Sequence, residues 1–253
     1  MNRAYGRRAL TISRRRTLLV LLAVGLTLTL GVLLFLWLRP VSMVEHARRI
    51  AYAQFRGDAD QLFDYMLPED GDHNGITRSS FRDGFRMLIS PRYARFSEVV
   101  SEETQSLGAG DEGLCRLNVV SQDGTKFGFV AVPFIADEGL GAYEQPDLFG
   151  RLLQSSWLAD YAVERKGKPA TKLGKWKIFL RKLDEDAPTL RVLGIKGFIS
   201  HKLVGNSFAD LKLITWEEYR RRLVATIKRL EAGMPEQKPA PEPPPTPPPA
   251  SAG

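Results

Sequence analysis

Residues 114–134 read LCRLNVVSQDGTKFGFVAVPF. Two runs rich in β-branched and aromatic residues flank Gln122, Asp123 and Gly124, and Asp-Gly is a favoured centre for a tight hairpin turn. The spacing predicts strands over 113–121 and 125–134. In the first, Cys115, Leu117 and Val119 share one face. In the second, Phe127, Phe129 and Ala131 face one way while Val130, Val132 and Phe134 face the other. Two apolar faces predict a central strand or one covered on both sides. An antiparallel sheet is therefore the centre of the fold, and the rest of the chain must cover it.

Before the hairpin the apolar period changes to that of helices. Val44, Ala47, Ala51 and Phe55 recur at helical spacing, with Gly57 as a stop and Asp58 as the next N-cap. Leu62, Phe63, Met66 and Leu67 form a second stripe, ended by Pro68. Phe81, Phe85, Leu88 and Ile89 form a third, capped by Thr77 or Ser79 and closed before Pro91. A polar strand is predicted over 93–105. After the hairpin, Leu148, Phe149, Leu152, Leu153, Trp157 and Tyr161 make a wide helical stripe behind Pro146 and Asp147. Strands are predicted over 175–183 and 189–201, separated by the polar turn 184–188, and a closing helix over 216–231. This is an α+β architecture.

The N-terminus is of another kind. An uncharged run, TLLVLLAVGLTLTLGVLLFLWL, begins at Thr17 and ends at Leu38. A helix of this length reaches roughly 33 Å, enough to cross a hydrocarbon core. It exceeds the apolar core of a cleaved signal peptide and lacks a small-residue cleavage site, so an uncleaved single-pass transmembrane anchor is expected. Arg3, Arg7, Arg8, Arg14, Arg15 and Arg16 precede it with no acid among them. They hold residues 1–16 in the cytoplasm and place the rest of the chain outside it, in the inner (plasma) membrane. The same arginines account for the basic balance. Of 36 Lys and Arg, setting aside these six leaves 30 against 29 acids, so the net charge of +7 implies no nucleic-acid surface. The expected boundaries are 1–16 (basic tail), 17–38 (span), 41–205 (globular domain), 206–233 (C-terminal helical segment) and 234–253 (tail). The last sixteen residues, KPAPEPPPTPPPASAG, favour polyproline II and reach roughly 50 Å when extended.

PEDGDHNGITRSSF, residues 68–81, opens like a calcium loop. Asp70, Asp72 and Asn74 stand at ligand positions one, three and five, with Gly75 at six. The closing bidentate carboxylate is missing, because position twelve is Phe81, which belongs to the third apolar stripe. The three residues are weak calcium candidates. The stretch is therefore read as a solvated, turn-rich connector between the second and third helices, with no metal expected. Cys115 alone admits no intramolecular disulfide and no multi-cysteine metal site.

GDADQLFDYMLPED, then ITRSSFRDGFRMLI, then meandering strands ending in KWKIFLRKL and LRVLGIKGF resembles the NTF2-like (cystatin-like) fold of bacterial exported proteins over about residues 44–201. The resemblance implies helices packed in the concave face of a curved antiparallel sheet, with the helix after Pro146 as an insertion. FRDGFRMLISPRYARF and RVLGIKGFISHKLVGNSF are more faintly similar to periplasmic lipid-carrying proteins of related fold, which implies an apolar cavity. Phe63, Phe85, Phe127, Phe129 and Trp157 are then candidates to line a ligand pocket, against the plainer reading that they pack the core. Asp64 with Tyr65 and Asp160 with Tyr161 could also face such a pocket, against solvent-facing carboxylates on amphipathic helices.

His46, His73 and His201 are not paired with a Cys, a Ser motif or a second His at metal spacing. No phosphate loop, dinucleotide fingerprint or nucleophile elbow is present. No catalytic residue and no cofactor are expected. The reading is a non-enzymatic, membrane-anchored binding or assembly module of the bacterial envelope with a protein or lipid partner. A lipid carrier and an isomerase- or dehydratase-type enzyme with a buried acid are the alternatives.

Overall fold

The computed structural model describes residues 21–22, 24–31, 41–107, 112–136, 139–141, 147–204 and 207–233. The chain divides into two compact units, Met1–Val41 and Ser42–Gly253. In the first, residues 21–22 and 24–31 are helical, and the rest of the expected span lies outside the described residues. Among the described residues no helix is long and apolar enough to cross a membrane.

The second unit opens with α1 (Met43–Arg56), capped by the Ser42 side chain on the Glu45 N–H and stopped by Gly57 in the left-handed region at φ 76°. Asp58 caps the short α2 (Ala59–Phe63) by accepting the Gln61 N–H. The 68–81 stretch is not the solvated connector expected of it. Pro68 starts a helix instead of ending one, as suits a residue with no N–H to leave unsatisfied. That helix, α3 (Pro68–Asn74), ends at Gly75 with φ 72°. Thr77 and Ser80 form a reciprocal capping box at α4 (Arg78–Gly84). The chain then runs through a π-helical turn, Phe85–Ile89, into α5 (Ser90–Tyr93). Pro91 sits in the first turn of α5, so the third helix continues past the point where its end was expected.

β1 (Phe96–Leu107), β2 (Glu112–Ser121) and β3 (Lys126–Ala131) form an antiparallel sheet in that order, so the fold is α+β. β2 and β3 make the expected hairpin, with Cys115 opposite Ala131, Leu117 opposite Phe129 and Val119 opposite Phe127. β2 is the central strand. β3 lies at the edge of this sheet, and its second face is half-buried instead of covered. α1 packs on β2 and β3. The short strands β4 (Phe134–Ala136) and β5 (Gly139–Gly141) pair with each other.

α6 (Leu148–Glu164) forms where a helix was expected after Pro146, capped by Asp147. The strand expected over 175–183 and the turn over 184–188 lie within one 21-residue helix, α7 (Lys172–Val192), capped by Thr171. Its inward residues are Ile178, Phe179, Leu183, Asp186 and Leu190, a period near 3.6 that the local alternation in KWKI conceals. The strand expected over 189–201 is reduced to β6 (Gly197–Val204), which pairs with β7 (Ser207–Thr215). β7 thus occupies the start of the segment expected to be helical from 206. α8 (Trp216–Glu231) closes the chain as expected, with Trp216, Leu223 and Ile227 buried. Every member of the central buried cluster lies between Ala47 and Leu223, so this unit closes its own core.

Candidate functional site

The five aromatic candidates fall into two groups. Phe85, Phe129 and Trp157 are fully buried, and Phe63 and Phe127 partly. Phe63 meets Phe81 edge-on at 5.5 Å, and Phe81 stacks on Phe85 at 6.4 Å. Phe85 meets Tyr93, whose ring touches Phe127 at 6.4 Å and Phe129 at 4.7 Å. These four candidates form one ladder through the core. Trp157 lies in the same buried core but makes its ring contacts elsewhere, with Phe179 at 5.4 Å and Phe198 at 6.3 Å. Among the described residues the five candidates pack against core rings and do not face one another across a shared cavity. Phe127 lines a surface groove, about 380 Å³ in volume, with Val100, Ser101, Asn118, Val119, Lys126 and Gly128.

The polar chemistry lies where α5, α6 and α7 meet. Arg92 of α5 is almost buried, and its guanidinium forks onto Asp186 of α7. Nη2 donates to Oδ1 at 2.8 Å and Nη1 to Oδ2 at 2.9 Å. Its Nε donates to Asp160 of α6 at 3.0 Å. Trp157 Nε1 donates to Asp186 Oδ2 at 2.7 Å. Asp160 also takes Arg95 at 2.7 Å and Lys182 at 3.1 Å. The side chains of Asp160 and Asp186 are only 2% and 5% exposed, so these pairs are shielded from water and from salt. Burial works against the charge on Arg92, but the Asp186 and Asp160 carboxylates outweigh it and raise its proton affinity above the ordinary arginine value. Lys182 follows the same pattern, with burial opposed by Glu185 and Asp160.

A general base needs a carboxylate lone pair turned towards a substrate. Here each oxygen of Asp160 and of Asp186 already accepts from a cation or from the indole N–H. The arrangement therefore positions three helices. Asp160, read from sequence as facing either a pocket or solvent, faces Arg92 instead. Asp64 is exposed and paired with Arg78 at 2.6 Å. The Tyr65 hydroxyl lies 3.0 Å from His46 Nδ1, and the Tyr161 hydroxyl accepts the Thr171 N–H. Arg92 and Asp186 were missed in the sequence. The available signal was Asp186 falling on the inward stripe of α7, which is visible only once 172–192 is read as a helix.

Asn74, a calcium candidate, is fully buried and serves backbone. Its Oδ1 accepts the Lys196 and Gly197 N–H groups at 3.0 and 2.8 Å, and its Nδ2 donates to Gly197 O at 2.6 Å. Among the described residues no group of three or more His, Cys, Asp or Glu is placed to hold a metal. Cys115 is buried on the inner face of β2, and burial pushes its thiol up to about 11.

Comparison of the chain with family models, with curated proteins and with solved structures finds no match in any of the three.

Proposed function

We propose that this chain is a single-pass, membrane-anchored module whose α+β unit lies outside the cytoplasm and works by binding a partner instead of by catalysis. The observation that carries this reading is the contrast between the two units. In the first, Leu21, Leu22, Leu26, Leu28 and Leu30 are 62–73% exposed on a helical stretch without a charge. Water penalises such a surface, whereas lipid does not. The hydroxyl of Thr29 donates back to Gly25 O at 2.7 Å, which satisfies it without solvent. The second unit completes its core by itself, and its buried carboxylates are committed to holding helices together. The six arginines ahead of the apolar run favour a cytoplasmic N-terminus. Helices packed on a small antiparallel sheet in residues 43–131 are in keeping with the NTF2-like resemblance read over residues 44–201, whereas KWKIFLRKL, one of its expected strands, is helical.

The test is alkaline carbonate extraction of membranes, combined with protease access to tags at each end of the chain. Retention in the pellet, with only the C-terminal tag cleaved from outside, is the expected result. Release into the soluble fraction, or protection of the C-terminal tag in spheroplasts, refutes the reading.

A further inference from the structure

The turn between α6 and α7 carries the strongest local charge in the folded unit. Residues 165–177 read RKGKPATKLGKWK, six cations in thirteen positions with no acid. Lys166, Lys168, Lys172 and Lys177 are exposed. Glu231 pairs with Lys177 of this run at 2.7 Å, which leaves five of the six, and Glu164 is taken by Arg181. Lys166, Lys168 and Lys175 make no ion pair among the described residues.

The turn is built, not loose. Lys166 and Gly167 both take left-handed backbone, at φ 47° and 77°. Arg165 Nη1 closes the turn by donating to Lys168 O at 3.0 Å. The Tyr161 hydroxyl accepts from Thr171 N at 3.0 Å and donates to Thr171 O at 3.3 Å, which pins the entry to α7 onto α6. Beside the lysines lies the half-buried Trp176, with Lys175 Nζ 5.6 Å from its ring. Like-charged side chains repel one another, so holding them together on a fixed turn costs stability, and an anionic partner removes that cost.

We propose that this lysine turn is a docking surface for an anionic phospholipid leaflet. The inference rests on the membrane-anchored reading above. Two features favour lipid over a discrete anionic ligand. Five of the six cations are lysines, which are mobile point charges, and not the arginine forks that grip a single carboxylate or phosphate bidentately. They are also spread along an exposed turn, which suits an extended anionic surface better than one discrete anion.

The experiment uses the full chain reconstituted in lipid nanodiscs, with Ala170→Cys labelled by an environment-sensitive fluorophore. Ala170 is exposed, whereas Cys115 is fully buried and its thiol suppressed, so labelling is confined to the turn. The discs contain phosphatidylcholine, with or without phosphatidylglycerol, and a headgroup-quenching lipid. Quenching roughly fivefold greater in the anionic discs is expected. High salt, which shortens the Debye length to a few ångströms, should abolish the difference. So should Lys166→Gln, Lys168→Gln and Lys172→Gln made together, three exposed changes that leave circular dichroism unaltered. Equal quenching in the two kinds of disc, with the chain incorporated, overturns the docking surface alone. A chain that elutes apart from the discs overturns the anchor, and the docking surface with it.

Discussion

Replacing Asp186 by Ala removes one carboxylate and strands two donors, Arg92 Nη2 and Trp157 Nε1, while Arg92 Nη1 keeps Leu88 O and Ser156 Oγ. Arg92 loses both bonds of its fork, 2.8 and 2.9 Å long, and Trp157 Nε1 loses its acceptor at 2.7 Å. These groups are buried, so water cannot replace the lost partner without opening the packing of α6 on α7. Breaking a buried pair from one side costs about 3–5 kcal/mol, whereas an exposed pair costs under about 1 kcal/mol. For a unit of this size that is a fall in Tm of roughly 6–20 °C. Calorimetry of the full chain in detergent measures it. The sharper measurement is a double-mutant cycle. Arg92→Met together with Asp186→Leu should recover most of the loss, because no unpaired charge remains and Asp160 keeps Arg95 and Lys182. The gap between wild type and Asp186→Ala should also survive high salt, since the pair is shielded. A loss under about 1 kcal/mol, or a double variant no better than the single, would refute the reasoning.

Three further outcomes are expected. Asn74→Ala removes three hydrogen bonds to Lys196 and Gly197 and should cost about 2–4 kcal/mol by chemical denaturation, while millimolar calcium should leave the wild-type melting curve unmoved because Asn74 Oδ1 is already committed. Gly197→Ala places a Cβ 2.1 Å from Ile214 O across the β6–β7 pair, and a chain that tolerates it with no drop in Tm would contradict the close approach. His46 is held below the ordinary histidine value of 6.5 by burial first and by Arg49 second, with Glu45 opposing. The unfolded chain therefore binds the extra proton first, so this group's contribution is complete above about pH 6.5 and lost as pH falls through that value towards the folded one. His46→Phe should flatten that part of the pH–stability curve.

The elements legible in the sequence are those governed by local rules. Gly57, Asp58 and Thr77 terminate helices because left-handed backbone and side-chain caps are properties of a few neighbouring residues. Asp-Gly set the β2–β3 register in the same way, and Phe81 placed on an inward stripe separated 68–81 from a calcium loop. α6 and α8 were legible because their stripes run for four turns or more. Residues 172–192 were not. Over nine residues, KWKIFLRKL fits a strand or a helix, and Asp184, Glu185, Asp186 and Pro188 look like a turn. Tertiary structure decides the matter, because Asp186 is an inward residue only when Arg92, 94 positions away, stands opposite it. Asn74 is comparable, a turn-forming residue by sequence that is buried because the backbone of Gly197, 123 positions distant, needs its amide. The five aromatics were recognisable as apolar by type alone, but only packing could show which rings each of them meets within the one core. Caps, turns and long stripes are determined within one element, so the sequence alone specifies them. A buried charge or amide is determined by what faces it, and for this chain the facing groups come from elements that the linear order keeps far apart.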